Sequence, residues 1–292
     1  MADTTDLRTE LGAAPLQRDV VRVHGPDAIE YLQGQLSQDV AALGVGESAP
    51  SLLLQPTGKA EAWLRVTRTA DDAVVLDVAA GFGDAVHARL RRFKLRTKVE
   101  LEPGVWWGLA VRGPGATEVT VPAGAMALDA GWPGVDGVDL LSEDELALAG
   151  VPLVDREALE ALRIECGVPA MGAELTDATI PAEAGQWLID ASVSFTKGCY
   201  TGQELVARID SRGGNVPRPV RGLLVDGDPP RVGTEIELDG ARVGVVTSAA
   251  RSPGLGGVAL AVVNRAVEIG REVVLVDGDA RTGATIAQLP LR

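Results

Sequence analysis

Histidine, cysteine and aromatic side chains are scarce in this chain, and each scarcity removes a class of chemistry. Among 292 residues there are two histidines, two cysteines and 3% Phe, Trp and Tyr. His24 and His87 lie far apart in sequence, on what read as a strand end and a helix, so a Ser-His-Asp triad or a histidine-rich metal centre lacks its parts. Cys166 and Cys199 are too few for a disulfide framework or for a cluster held by four thiolates, and no metal site is expected. Two free thiols fit a reducing compartment. No uninterrupted apolar run reaches about 18 residues, and the opening MADTTDLRTELGAAPLQRD has no basic stretch followed by an apolar one. The expected location is cytoplasmic, away from membranes.

Basic residues are also in short supply, 27 Lys and Arg against 41 Asp and Glu, for a net charge of −14. Such a field repels phosphates and anionic headgroups, so direct contact with nucleic acid is not expected. Phosphate-cradling glycine loops are missing too. Gly81-Phe82-Gly83 lacks the third glycine, and Gly254-Leu255-Gly256-Gly257 does not stand between a strand and a helix.

What the chain has in quantity is small aliphatic residues. It is 46% apolar with mean hydropathy +0.13, and it exceeds the length at which one core stops growing, so two or three domains are expected. Val20 to Val23 reads as a short strand. Gly25-Pro26-Asp27 opens a helix with Ile29, Leu32, Leu36 and Val40 at helical spacing. Ser51 to Gln55, Ala62 to Thr67 and Ala73 to Val78 read as a meander, followed by a helix from about Asp84 to Leu95 and a strand from Thr97 to Leu101. That helix gathers Arg91, Arg92, Lys94 and Arg96 near its end, where cations complement the helix dipole. Residues 48–125 form a compact α+β unit of the ferredoxin-like kind. Val121 to Gly150, rich in Gly, Ala and Pro, gives no clear pattern. Asp155 to Cys166 is a second helix stopped by Gly167, and the chain then reads as loops. From Arg221 five short strands follow, Gly222 to Val225, Glu235 to Leu238, Val243 to Thr247, Val258 to Val262 and Glu272 to Val276, which make a small all-β domain.

One segment concentrates reactive groups: Lys197-Gly198-Cys199-Tyr200-Thr201-Gly202-Gln203-Glu204. Its glycines tolerate positive φ and close approach of another group. A thiol near a lysine can be a nucleophile or a metal ligand; equally, Cys199 can be a small buried hydrophobe in a loop before a helix.

Leu162 to Gly167 (LRIECG), Gly172, Glu174-Leu175, the KGCYTGQE segment, Gly244 to Ser248 (GVVTS), Ser252-Pro253 and Leu255-Gly256 resemble, in order, landmarks of the glycine-cleavage T-protein family. Leu32 to Val40 (LQGQLSQDV) and Leu95 to Val99 (LRTKV) are similar to the same family's earlier stretches. Tyr200 and Cys199 place the resemblance in the YgfZ branch of these aminomethyltransferase-like, folate-binding proteins, since T-proteins carry phenylalanine at the tyrosine and lack the cysteine. The resemblance implies an α+β fold of three domains in a ring: a folate-binding domain from residues 1–47 and 126–215, a ferredoxin-like middle domain at 48–125 and a C-terminal β-barrel at 216–292. It implies tetrahydrofolate or a one-carbon derivative as ligand, with Glu165 as the pterin-binding carboxylate, Tyr200 or Trp187 lining the pocket, and an arginine of the set Arg208, Arg212, Arg218 and Arg221, foremost Arg218, meeting the glutamate tail. It implies a monomer that serves iron–sulfur client proteins or assembly factors, with Cys199 a reactive thiol beside Lys197. The aspartates of the T-protein GGxxDD-like stretch are replaced by Ala62 and Trp63, which argues against a working aminomethyltransferase; Glu61 is one position out of register and reads as a surface glutamate. A true aminomethyltransferase and a ligand-free interaction scaffold are the alternatives.

Overall fold

The structure of the protein, a computed structural model, describes residues 5–291. In chain order its elements are β1 (Gly12–His24), α1 (Ala28–Gln35), β2 (Ser48–Leu54), β3 (Ala60–Ala70), β4 (Ala73–Ala79), α2 (Gly83–Phe93), β5 (Glu100–Arg112), β6 (Met126–Asp129), β7 (Gly137–Ser142), α3 (Arg156–Cys166), α4 (Gln186–Ser192), α5 (Gln203–Asp210), and then six strands, β8 (Val220–Val225), β9 (Glu235–Leu238), β10 (Ala241–Ser252), β11 (Gly256–Val263), β12 (Glu272–Asp277) and β13 (Ala280–Ala287). Strands β1 to β7 follow the order β2-β3-β4-β1-β5-β7-β6, and β8 to β13 close a barrel in the order β10-β11-β8-β13-β12-β9. The α+β class and the C-terminal barrel are those read from the sequence. Two compact units emerge, one from Gln17–Trp107 and Leu175–Asn215, the other from the residues up to Leu16, Gly108–Glu174 and the chain from Val216 onward.

In the first unit the meander β2-β3-β4 is antiparallel, and β1 continues it by pairing with β4 from Arg18↔Ala79 to His24↔Ala73. A strand from the N-terminal segment therefore stands between β4 and β5. Ion pairs pin this sheet from within: Asp77 of β4, with no exposed surface, accepts from Arg65 of β3 at 3.0 Å and from Arg18 of β1 at 2.7 Å. Asp19, next along β1, accepts from the N–H groups of Gly81 and Gly83, both at 2.8 Å, and so supplies the start of α2 with the acceptor it lacks locally. Helix α1 is shorter than its periodicity suggests. Leu32, Leu36 and Val40 are all fully buried, as expected, but Leu36 is extended and the N–H of Ser37 donates to Leu52 of β2 at 3.0 Å. Sheet-like pairing takes over where the helix was expected to run on.

In the second unit β6 and β7 form a hairpin from Met126↔Leu141 to Asp129↔Val138, within the stretch where composition gave no pattern. The barrel interior is filled by Leu223, Ile236, Val246, Ala259, Ala261, Val263, Val273, Leu275 and Ile286. Its sixth strand, β13, was absent from the sequence reading because Arg281-Thr282-Gly283-Ala284 carries little apolar signal. Helix α3 rests on the barrel through Ile164, which joins Val220, Val258, Leu260 and Leu291. The link is sealed by Glu174, whose side chain has no exposed surface. One carboxylate oxygen accepts from the Thr247 and Ser248 hydroxyls at 2.6 and 2.7 Å; the other accepts from the Ala170 N–H at 2.9 Å and Arg163 at 3.3 Å. Four donors on one buried carboxylate offset its desolvation; removing it takes the acceptor from Ser248 and the Ala170 N–H, while Thr247 and Arg163 keep the Leu260 and Val168 carbonyls at 3.1 and 2.5 Å. Glu174→Ala is expected to destabilise this unit by about 3 kcal/mol. Urea denaturation followed by circular dichroism checks this, and an unchanged midpoint would refute the role given to Glu174.

Candidate functional site in the KGCYTGQE loop

The loop belongs to the first unit and leads into α5. Gly202 stands at φ +83, where a Cβ would lie 2.5 Å from the Gln55 carbonyl oxygen and 2.8 Å from the Leu54 Cβ. Gly58, in the turn between β2 and β3, has φ +80, and a Cβ there would collide with Leu205 of α5. Two backbones thus meet directly, at 3.2 Å from the position of a Gly202 Cβ to the Gly58 Cα, and neither position has room for a side chain.

Upstream of this contact the loop is fastened to the run that ends α1. The Lys197 ammonium donates to the carbonyls of Gln33, Leu36 and Gln38 at 2.7, 2.7 and 2.8 Å. Ser194 N–H donates to the Ser37 carbonyl at 3.0 Å and Thr201 N–H to the Gly34 carbonyl at 3.2 Å. The Tyr200 ring lies 5.3 Å from the Lys197 ammonium, and burial pushes its hydroxyl up to about 12. Cys199 is exposed. The reading of Cys199 as a small buried hydrophobe is therefore wrong; that description fits Cys166, whose thiol burial raises to about 11.

Trp187 of α4 meets Trp63 of β3 edge to face, with centroids 6.0 Å apart and planes at 80°. The Trp63 indole N–H donates to the Ser192 hydroxyl at 3.0 Å, and α4 is held in turn by Ser37 Oγ to the Ser192 carbonyl at 2.6 Å and Gln38 Nε2 to the Ala191 carbonyl at 3.1 Å. Residues 33–38 thus hold both α4 and the KGCYTGQE loop. The sequence reads this run as part of a helix and as a family landmark and does not show its holding role, because most of that work is done by backbone carbonyls, which no side-chain pattern reveals.

Glu165 lies in the other unit. It is 4% exposed, its carboxylate accepts from the Arg8 guanidinium, and its carbonyl accepts from Leu291 N–H at 2.7 Å. Arg163, two residues before it on α3, is bonded to Glu160 and Glu174. Arg218 is an exposed residue of this unit, and Arg208 and Arg212 are exposed in the first. Arg221 is half-buried, and burial lowers its pKa. Among the described residues no group of three or more His, Cys, Asp and Glu is placed to hold a metal, and no helix is long and apolar enough to cross a membrane.

Comparison with known proteins gives this geometry its context. Residues 218–291 match the glycine cleavage T-protein C-terminal barrel domain. The tRNA-modifying protein YgfZ of Edwardsiella ictaluri is 30% identical over 92% of this chain and 89% of its own length. The chain belongs to the YgfZ family. Similarity extends to the aminomethyltransferase of Rubrobacter xylanophilus, 29% identical over 87% of this chain and 76% of the relative. The crystal structure of glycine cleavage system aminomethyltransferase T from Bartonella henselae superposes with a TM-score of 0.79 at 23% identity, covering 98% of this chain and 87% of that one, so the fold is shared.

In this YgfZ-family chain β3 carries Ala62 and Trp63, the positions set against the T-protein aspartates by the resemblance. Ala62 is buried and Trp63 is committed to Trp187 and Ser192, so neither supplies an acid or base. Glu61, 29% exposed, has its carboxylate 3.9 Å from Arg89 of α2. Arg89 is buried, donates to Gln35 Oε1 and the Leu54 carbonyl, and stacks on Phe93 at 3.8 Å; burial lowers its pKa. Glu61 is thus one half of a partly screened ion pair instead of a free surface carboxylate.

Two outcomes are expected at the loop. Gly202→Ala forces a left-handed φ on a residue with a Cβ and drives that Cβ into Gln55, so a loss of about 2 kcal/mol or more is expected from the thermal midpoint; wild-type stability would show that the two turns separate at no cost. Burial lowers the Lys197 pKa from 10.5 to about 8, partly opposed by Asp39. Between those values the unfolded chain keeps a proton that the folded chain has released, so this group makes the unfolding free energy rise as pH increases through the window. Carbon-13 chemical shifts of the Lys197 Cε across pH check it, and titration near the ordinary lysine value would contradict it.

Proposed function

We propose that this protein binds tetrahydrofolate or a one-carbon derivative and acts without catalysing aminomethyl transfer, as an accessory factor for the assembly or repair of iron–sulfur proteins. The observation that carries the reading is the state of β3 beside an intact KGCYTGQE loop. Where an aminomethyltransferase would place its acid or base, this chain has the buried Ala62 and the bonded Trp63, while the loop presents an exposed thiol. A flat heterocycle asks for aromatic faces, and the first unit offers half-buried rings at Trp63, Trp187 and Tyr200. The carboxylate for its N–H edge is taken to be Glu165 on the family resemblance alone. Arg218 is the candidate for the glutamate tail.

The relatives' description as tRNA-modifying extends to this chain through a client. A cytoplasmic iron–sulfur enzyme that modifies tRNA would depend on the factor, while the net charge of −14 keeps the factor itself off the phosphates. Cys199 is the group that would touch such a client, by transient thiol contact.

Calorimetric titration with tetrahydrofolate tests the ligand. Saturable binding is expected for the wild type and for Cys199→Ser, with about tenfold weaker binding for Trp187→Ala and a larger loss for Glu165→Ala. No binding to the wild type would leave a ligand-free scaffold, and formation of methylene-tetrahydrofolate from an aminomethyl donor would restore the aminomethyltransferase reading.

A further inference from the structure

Lys197 was expected to act on Cys199 electrostatically, as a cation near a thiol. Its geometry assigns it other work. An ammonium has three N–H donors, and all three are accounted for by the carbonyls of Gln33, Leu36 and Gln38. Two of these, Gln33 and Leu36, end α1 or follow it directly, where carbonyls lack intrahelical partners. The third belongs to the extended stretch after it.

Around this point the loop makes two further attachments to the same run, Ser194 N–H to Ser37 and Thr201 N–H to Gly34. Cys199 sits between the Lys197 and Thr201 attachments. Gly198 separates lysine from cysteine, and the space where its Cβ would stand is open. On the other side of the thiol the Tyr200 N–H donates to Gln203 Oε1 at 3.1 Å. The position of the thiol depends on the attachments to either side of it. Lys197 is the only charged side chain from Ser194 to Thr201. The groups that face its ammonium are Asp39, which bonds Gln33 Nε2 and Ala42 N–H, and the Tyr200 ring.

We propose that Lys197 is a positioning residue for Cys199: its ammonium clasps the carbonyls of Gln33, Leu36 and Gln38, and this tether, not a through-space effect on thiol ionisation, fixes where the exposed thiol stands. The assignment does not rest on the ligand or the client proposed above, and its test uses neither.

The test is amide hydrogen exchange resolved at Thr201 and Ser194 in the full chain, together with the pH profile of Cys199 alkylation by iodoacetamide. Lys197→Ala is expected to lower the protection of the Thr201 amide about tenfold or more, the scale of one lost hydrogen bond to a charged group, while the apparent thiol pKa stays at the wild-type value. Added ethylammonium, which carries N–H donors, is expected to restore part of the protection; tetramethylammonium, which carries charge alone, is not. Unchanged protection, a raised thiol pKa with protection intact, or equal rescue by both cations would each overturn the assignment. The wild type gives an independent reading should the variant fail to fold. Its Lys197 ammonium protons are expected to exchange slowly enough to give a nitrogen-15 correlation peak with couplings to the three carbonyl carbons, and exchange as fast as at exposed lysines would refute the clasp.

Discussion

Carbonyl oxygens at the end of α1 have no partners within the helix, and the first unit is arranged around supplying them. Hydrogen-bond accounting leaves little choice. A helix that stops at Gln35 in a half-buried setting leaves acceptors without intrahelical partners, and each needs a donor from elsewhere. Here the donors arrive from more than 150 residues away in sequence, as the Lys197 ammonium and the Thr201 N–H. Because Ser37 and Gln38 in the same run also hold α4, the position of Trp187 and that of Cys199 are set by one short piece of backbone. A disturbance there would be felt by an aromatic face and a thiol together.

The second unit solves a related problem with opposite polarity. Glu174 is a buried acceptor, and the donors come from α3, from the turn after it and from two adjacent hydroxyls of β10. Burying one carboxylate is tolerable because its four partners share its charge, and the arrangement gives α3 a fixed seat on the barrel that apolar contact through Ile164 alone would leave free to slide. Specific polar bonds thus set the position of elements whose stability comes chiefly from apolar burial.

Kinship with aminomethyltransferases is plain in the fold. A TM-score of 0.79 shows that the backbone is retained at 23% identity, and β3 of this chain carries a buried alanine and a bonded tryptophan. The contrast between the two cysteines follows the same logic. Cys166 is sealed in α3 with its thiol held protonated by burial, and Cys199 stands in solvent on a loop fastened at several points. Fold is shared by many functions, and what differs among them is which side chains the fold brings to the surface.

The sequence by itself determined the elements with strong periodicity and clear stops. The meander β2-β3-β4, helix α2, helix α3 with its Gly167 end and five of the six barrel strands were legible because apolar spacing and turn residues are local properties. It also determined the family landmarks, which turned out to be contact partners: Arg163, Glu174, Thr247 and Ser248 meet at one carboxylate, and LQGQLSQDV meets KGCYTGQE. What only the tertiary structure decided was the pairing itself. The end of α1 at Gln35, the place of β1 beside β4 and the low-contrast strand β13 depend on backbone hydrogen bonds to distant partners, which leave no trace in side-chain periodicity, while α4, α5 and the β6-β7 hairpin are too short and too low in apolar contrast to announce themselves. The roles of Lys197, Glu165 and Glu61 were open for the same reason, since a charged residue takes its chemistry from the group it faces, and Gln38, Arg8 and Arg89 are neighbours only in the folded chain.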